Sequence, residues 1–179
     1  MIKIILTGYP GVGKTTSIVK INDFLKLRGF KTGGFITLEE RDKGKRVGFK
    51  IIDLMSLSED WLAHVSFKDG PSIGKYRVNL KAMDGIGVKA LEKALAEADI
   101  ILIDEVGPME MLSNNFRRKL SEVMQSEKPV VLTLHRSYVN RRIPELDTKH
   151  EVLVFQISMT NRDAIPLVVS REILRRLKK

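Results

Sequence analysis

Gly8-Tyr9-Pro10-Gly11-Val12-Gly13-Lys14-Thr15-Thr16 is the stretch from which the rest of the chain is read. It fills every fixed position of the pattern G-x-x-x-x-G-K-[ST]. Upstream, Lys3-Ile4-Ile5-Leu6-Thr7 is a short apolar run ending at glycine, the mark of a buried strand. Downstream, Ile18, Val19, Ile21, Phe24, Leu25 and Leu27 recur at helical spacing, and Gly29 stands where a helix stops. Residues 3–28 therefore read as strand, glycine loop, helix. In that context the glycines let backbone N–H groups converge on phosphate oxygens, helped by the positive end of the helix. Lys14 supplies a compact charge to the β and γ phosphates, and the Thr15 hydroxyl is placed to ligate Mg²⁺. Residues 8–16 are the expected nucleotide-binding loop. No G-x-G-x-x-G is present, which disfavours a nicotinamide or flavin site.

Working outward, Gly34-Phe-Ile-Thr-Leu-Glu39 and Val47–Leu54 read as two strands joined by a charged turn around Gly44. Residues 61–67 and 73–79 extend this hairpin into an antiparallel meander, turning at Gly70-Pro71. Val88–Ala98 is an amphipathic helix, Ile100–Asp104 an apolar strand ending in acid, and Ser113–Ser126 a helix with Ser113 as its cap. Pro129–His135 and Val152–Ile157 are further strands. Arg136–Lys149 is polar and reads as a short helix plus loop, and 163–177 as a final basic helix. Apolar strands alternating with helices predict an α/β fold, a mostly parallel sheet with helices on both faces. The expected organisation is a single domain over 1–179, with an antiparallel insertion at 34–80.

A second constellation follows from Asp104. At the end of an apolar strand its carboxylate reaches the carboxyl edge of the sheet, where ligands bind in such folds and where it can hold Mg²⁺. Glu105, one residue on, is placed to orient an attacking water. Glu110 is a candidate support for it. Thr133 and His135 are candidate γ-phosphate sensors if their strand lies beside the loop strand. Asn161 and Arg162, after the last strand, are expected near the base. Arg41, Arg46, Arg136, Arg141, Arg142 and Arg162 are all candidates to neutralise charge late in the reaction, with the hairpin pair Arg41 and Arg46 put first. Trp61 and Phe67 are expected to fill core.

Composition sets outer bounds. The 179 residues are 43% apolar and 30% charged, a globular balance. There is no cysteine, which excludes disulfides, zinc–thiolate sites and thiol nucleophiles and suits a reducing cytoplasm. No apolar run is long enough for a membrane span, and the N-terminal apolar stretch is too short for a signal peptide. The net charge is +9, with six basic and two acidic residues from Arg162 to Lys179. Such an excess permits nucleic acid, an anionic surface or a polyphosphate ligand. No base-stacking aromatic cluster stands beside the basic residues, so nucleic acid is not favoured. A monomer is the working expectation.

The chain also resembles the THEP-type nucleoside-triphosphatases of the P-loop class, a family that includes the cancer-related nucleoside-triphosphatase. The likeness is carried by Gly8–Thr16, by Gly34-Phe-Ile-Thr with Arg41, Gly44, Arg46 and Gly48-Phe49, by Asp104-Glu-Val-Gly-Pro-Met-Glu110 with Leu112-Ser113 and Phe116, and by Asn161-Arg-Asp163. Val106 replaces an isoleucine of the family pattern, and Leu38 stands where an acid is expected. The resemblance implies a RecA-like fold in which an extra strand separates the loop strand from the Asp104 strand. It also implies slow, Mg²⁺-dependent hydrolysis of ATP, GTP, CTP, UTP and TTP to diphosphate and phosphate, with diphosphates cleaved less well. The alternatives are a nucleotide or nucleoside kinase, with 136–150 as a basic lid, and a nucleic-acid-associated ATPase module.

Overall fold

The computed structural model describes residues 1–177; Lys178 and Lys179 of the basic tail lie outside the described residues. Strand β1 (Ile2–Gly8) leads through the glycine loop into helix α1 (Lys14–Lys26). Next come β2 (Thr32–Asp42), β3 (Lys45–Asp53), β4 (Glu59–His64), β5 (Ser72–Ile73) and β6 (Tyr76–Val78). Helix α2 (Leu80–Ala82) continues through a π-helical stretch, Met83–Val88, into α3 (Lys89–Glu97). The rest is β7 (Ile100–Val106), α4 (Asn114–Gln125), β8 (Val130–Leu134), β9 (Glu151–Ile157) and α5 (Ile165–Leu177). All strands join one sheet, ordered β5-β6-β4-β3-β2-β7-β8-β1-β9.

The five strands β2, β7, β8, β1 and β9 run parallel. Alternation along them separates two cores. Ile2, Ile4 and Leu6 of β1 join Ile100, Leu102 and Val131 under α1 and α5. Ile5 joins Ile101, Ile103, Val130 and Leu132 under α3 and α4. Both faces of β1, β7 and β8 are covered, which is why these strands read as unbroken apolar runs rather than as alternating ones, whereas the edge strand β9 leaves Val152 and Val154 exposed. Each such fully buried aliphatic side chain contributes roughly 1.5–3 kcal/mol relative to exposure.

Strand β2 belongs to both halves of the sheet. Thr32–Phe35 pairs with β7, and from Phe35 to Asp42 the strand pairs antiparallel with β3. The meander is thus continuous with the parallel sheet rather than beginning at Gly34. The helix expected from Val88 starts eight residues earlier. Asn79 caps it by accepting a hydrogen bond from the Ala82 N–H, while Gly85 and Gly87 dilute the helical signal in the sequence. Trp61 and Phe67 do not fill core. They are half-buried and flank the His64 ring, with centroids 4.6 and 5.5 Å away, outside both apolar clusters. Among the described residues, no helix is long and apolar enough to cross a membrane.

One buried residue carries no apolar signal at all. Lys3 is 0% exposed, on the α4 side of β1. Its ammonium donates to the carbonyls of Val123, Ser126 and Lys128 at 3.2, 2.8 and 2.8 Å, closing the C-terminal end of α4. Burial pulls its pKa down to about 8 against the pull of Glu127.

Candidate functional site

The carboxyl ends of β1, β8 and β7 lie side by side, and the glycine loop rises from the first of them. Gly8 makes the turn: its φ is +155°, and a Cβ there would lie 2.7 Å from the Ile157 carbonyl oxygen and 2.9 Å from Val12 Cγ1. Only glycine lets β1 leave the sheet so close to β9. The loop ends at Gly13, which precedes α1 without a side-chain cap and with no acid in the first helical turn. The contrast with α4 is instructive, since there the Ser113 hydroxyl accepts from the Phe116 N–H at 3.0 Å. The first N–H groups of α1 are left for an anion. Lys14 is buried, and its ammonium donates to the Gly8 and Tyr9 carbonyls at 3.3 and 3.5 Å. Tyr9, Pro10, Gly11 and Thr16 are exposed, and Thr15 is half-buried.

Across the interposed strand β8, the β7–β8 ladder slips between Ile103 and Val106. The two residues in the slip are Asp104 and Glu105, joined by a cis peptide bond. Asp104 continues the side of β7 that carries Ile100 and Leu102, so it points toward α1. It is 0% exposed, and its Oδ1 accepts a 2.6 Å hydrogen bond from the Thr133 hydroxyl. Burial pushes its pKa up; the Thr133 and Thr15 hydroxyls, the Lys14 charge and the Thr37 backbone oppose that. Asp104 Oδ2 and Glu105 Oε1 are buried without a hydrogen-bond partner. Such groups are costly unless something pairs them. Burial and the adjacent Asp104 push Glu105 up to about 7, with Lys14 opposing. Glu110 is 6% exposed, and burial together with Glu105 pushes it up to about 8.

Gly107 explains how these acids meet. A Cβ at that position would lie 3.0 Å from Glu110 Oε2, 3.2 Å from Glu105 Oε1 and 3.3 Å from His135 Cβ. The bare backbone thus lets two carboxyls and the exit of β8 converge. His135 sits at that exit, where burial and the nearby Lys14 charge lower its pKa. Its Nδ1 accepts from the Ser137 N–H at 3.2 Å, so the ring shapes its own turn.

The structure thus brings Lys14, Thr15, Asp104, Glu105, Glu110, Thr133 and His135 to one edge of the sheet. Asn161 and Arg162 arrive from β9, on the far side of β1. The Asn161 amide is spent inside its loop, accepting from the Ser158 N–H at 2.8 Å and donating to the Gln156 carbonyl at 2.9 Å. Arg162 lies over the loop, its Cδ 3.9 Å from where a Gly13 Cβ would stand. Arg41 and Arg46 are both engaged by Glu39, at 2.5 and 2.8 Å, and Arg46 also donates to the Tyr76 hydroxyl. Gly107 and Thr37 lie in stretches that carry the family likeness, yet neither stands out as a site residue in sequence, because one acts through a missing side chain and the other through its backbone.

A family model described as NTPase matches residues 3–170. The nucleoside-triphosphatase THEP1 of Methanocaldococcus jannaschii is 45% identical over 177 residues, covering 98% of this chain and 99% of that protein. The chain belongs to the THEP1 family of nucleoside-triphosphatases. The THEP1 of Thermofilum pendens is 41% identical over 170 residues, 94% of this chain and 93% of that protein. A crystal structure of THEP1 from the hyperthermophile Aquifex aeolicus has a TM-score of 0.82 at 30% identity, covering 96% of this chain and 98% of that one. The solution structure of a human cancer-related nucleoside triphosphatase has a TM-score of 0.78 at 27% identity, covering 96% of each chain. As a THEP1-family protein the chain has the P-loop NTPase fold and is a nucleoside-triphosphatase, a hydrolase whose substrates are nucleoside triphosphates. The strand interposed between the loop strand and the Asp104 strand, implied by the resemblance, is β8.

Proposed function

We propose that this enzyme converts nucleoside triphosphates to diphosphate and phosphate with Mg²⁺ and with little regard for the base. The phosphate tail lies on the backbone N–H groups of residues 8–13 and the first turn of α1, where Thr16 closes the seat. Lys14 leaves its loop carbonyls for the β and γ oxygens. Thr15 Oγ1 and Asp104 are the protein ligands for the cation. The fit rests on one observation: Asp104 Oδ2 is buried with no hydrogen-bond partner, a group that a cation would satisfy. No cluster of three or more His, Asp or Glu side chains suited to a metal exists among the described residues. A cation held by one carboxylate and one hydroxyl, completed by substrate phosphates and water, is the usual Mg²⁺ arrangement in such enzymes. Bound there, it would neutralise charge on the triphosphate.

Glu105 orients the water. The water oxygen bonds to the γ-phosphorus as the bond to the β–γ bridging oxygen breaks; one proton passes to Glu105, and the diphosphate leaves. One oxygen of Glu105 is buried with no hydrogen-bond partner, which leaves it free to accept the proton of the water. Base tolerance is supported by Asn161, whose amide is held in place by the Ser158 N–H and the Gln156 carbonyl and so is not free to turn to suit a particular base. Arg162 then lies along the nucleoside end of the loop. A cytoplasmic setting suits a chain without cysteine.

The test is phosphate release from ATP, GTP, CTP, UTP and TTP with Mg²⁺, with and without a panel of nucleosides. Release from all five within about tenfold of one another, without any acceptor, is expected. Turnover that requires a nucleoside acceptor would overturn the hydrolytic assignment in favour of phosphoryl transfer.

A further inference from the structure

Six arginines are candidates on sequence for neutralising the reacting phosphoryl group, and the structure separates them. Arg41 and Arg46 share the Glu39 carboxylate. Arg142 is bridged to Asp147 at 2.7 Å. Arg141 lies further along the segment between β8 and β9, its N–H donating to the Tyr138 carbonyl at 3.1 Å and its charge acting on the Tyr138 phenol. Two remain against the glycine loop, one at each end. Arg162 crosses Gly13. Arg136 lies over Tyr9, its guanidinium carbon 4.2 Å from the ring centroid.

Topology decides which of the two faces the γ-phosphate. Arg162 follows β9, on the side of β1 away from Asp104. Arg136 follows β8, the strand between the loop strand and the acid pair. Its neighbour His135 is bracketed by the two ends of the chemistry, its Cβ against Gly107, which Glu105 also approaches, and its ring within reach of the Lys14 charge. Arg136 is therefore delivered one residue beyond the gap into which the terminal phosphate must fit. Among the described residues it has no carboxylate partner. What holds it is the face of Tyr9, an exposed ring (58%) at the second position of the loop itself. Both residues line a cavity of about 190 Å³ with Thr7, Val139, Asn140 and Gln156.

We propose that Arg136 is the arginine, supplied within the chain, that neutralises the γ-phosphate, and that Tyr9 parks it until a triphosphate draws it off. This rests on the loop being the phosphate seat. A cation over an exposed aromatic face is only weakly held. A guanidinium on a phosphate makes charge-assisted, bidentate bonds roughly twice as strong as neutral ones. The exchange is thus downhill once the third phosphate is present. Arg136 is exposed, so its replacement leaves the fold intact.

The experiment has two arms, steady-state hydrolysis of Mg-ATP and NMR of the arginine side chain. Arg136→Ala should lower kcat at least 30-fold and raise KM several-fold, since the guanidinium holds the γ-phosphate of the bound substrate and holds it more tightly still in the transition state. Arg136→Lys should recover part of the loss, keeping charge but not the fork. In the parent protein the Arg136 Nε–H resonance, shifted by the Tyr9 ring, should move on adding a non-hydrolysable ATP analogue with Mg²⁺ and stay in place with Mg-ADP. A kcat for Arg136→Ala within twofold of the parent overturns the proposal. Lys14→Ala keeps the two levels apart. If it abolishes turnover while Arg136→Ala does not, only the role of Arg136 is wrong; if it leaves nucleotide binding intact, the phosphate seat is wrong as well.

Discussion

Strand β1 carries a buried lysine at its second residue and leads, through the glycine loop, to another at the start of α1, and the two are treated in opposite ways. At the amino end, Lys3 is fully paired. Three carbonyls receive its ammonium at 3.2 Å or less. Around it the Lys31 N–H donates to Asp99 at 2.7 Å, the Thr32 hydroxyl to Asn22 at 2.7 Å, and Lys128 to the Ala98 carbonyl. At the carboxyl end, Lys14 makes only 3.3 and 3.5 Å contacts to its own loop. Two carboxylate oxygens nearby, on Asp104 and Glu105, are buried with no partner. The same sheet closes its hydrogen-bond account at one end and leaves it open at the other. Burial alone therefore does not mark a site; buried charge left unpaired does.

Substitutions at the two ends should fail in different ways. The largest effect is expected at the open end. Glu105→Gln should lower turnover by ~10²-fold or more while leaving the thermal melting temperature equal or higher, because a neutral amide replaces a buried acid. Phosphate release and a melt on the same sample check both halves; near-parental turnover would move the water-orienting role elsewhere. Lys3→Met should do the reverse. Stripping three carbonyls of their donor should cost about 3 kcal/mol in urea unfolding, with kcat of the folded fraction within twofold. The smallest effect belongs to Glu110, between the extremes. Its carboxyl titrates at about 8 in the folded chain against an ordinary value of 4.5. Between those values the folded state keeps a proton that the unfolded state has released, so stability falls as pH rises through that window. Glu110→Gln should flatten the decline, gaining on the order of 1–2 kcal/mol at pH 8 and little at pH 4.5. Parallel pH profiles for the parent and the variant would contradict it.

The middle of the parallel half was legible because β1, β7 and β8 are covered on both faces and so consist of unbroken apolar runs. The glycine loop was legible because its residues are chosen by chemistry at fixed spacing. Strand order was not, since nothing in Val130–Leu134 says that it lies between β1 and β7; only the family resemblance implied a strand there. The pairing of the Lys3 ammonium was not legible, because its partners are backbone carbonyls from α4 and the turn that follows, which leave no mark in composition. Trp61 was assigned to the core by its size, yet it lies beside His64 on the outer face of the meander. Asn161 reads as a ligand residue in sequence, and the bonds that consume its amide are visible only in three dimensions.

Strand β8 also has a metrical consequence. Neighbouring strands stand about 4.8 Å apart, so the backbones that carry the glycine loop and the acid pair are roughly 9.6 Å from one another. Side chains close that distance, since the Thr15 hydroxyl and the Lys14 ammonium both act on the Asp104 carboxyl across the end of β8. The inserted strand therefore works as a spacer: it keeps two main chains apart while letting a hydroxyl from one and a carboxylate from the other meet.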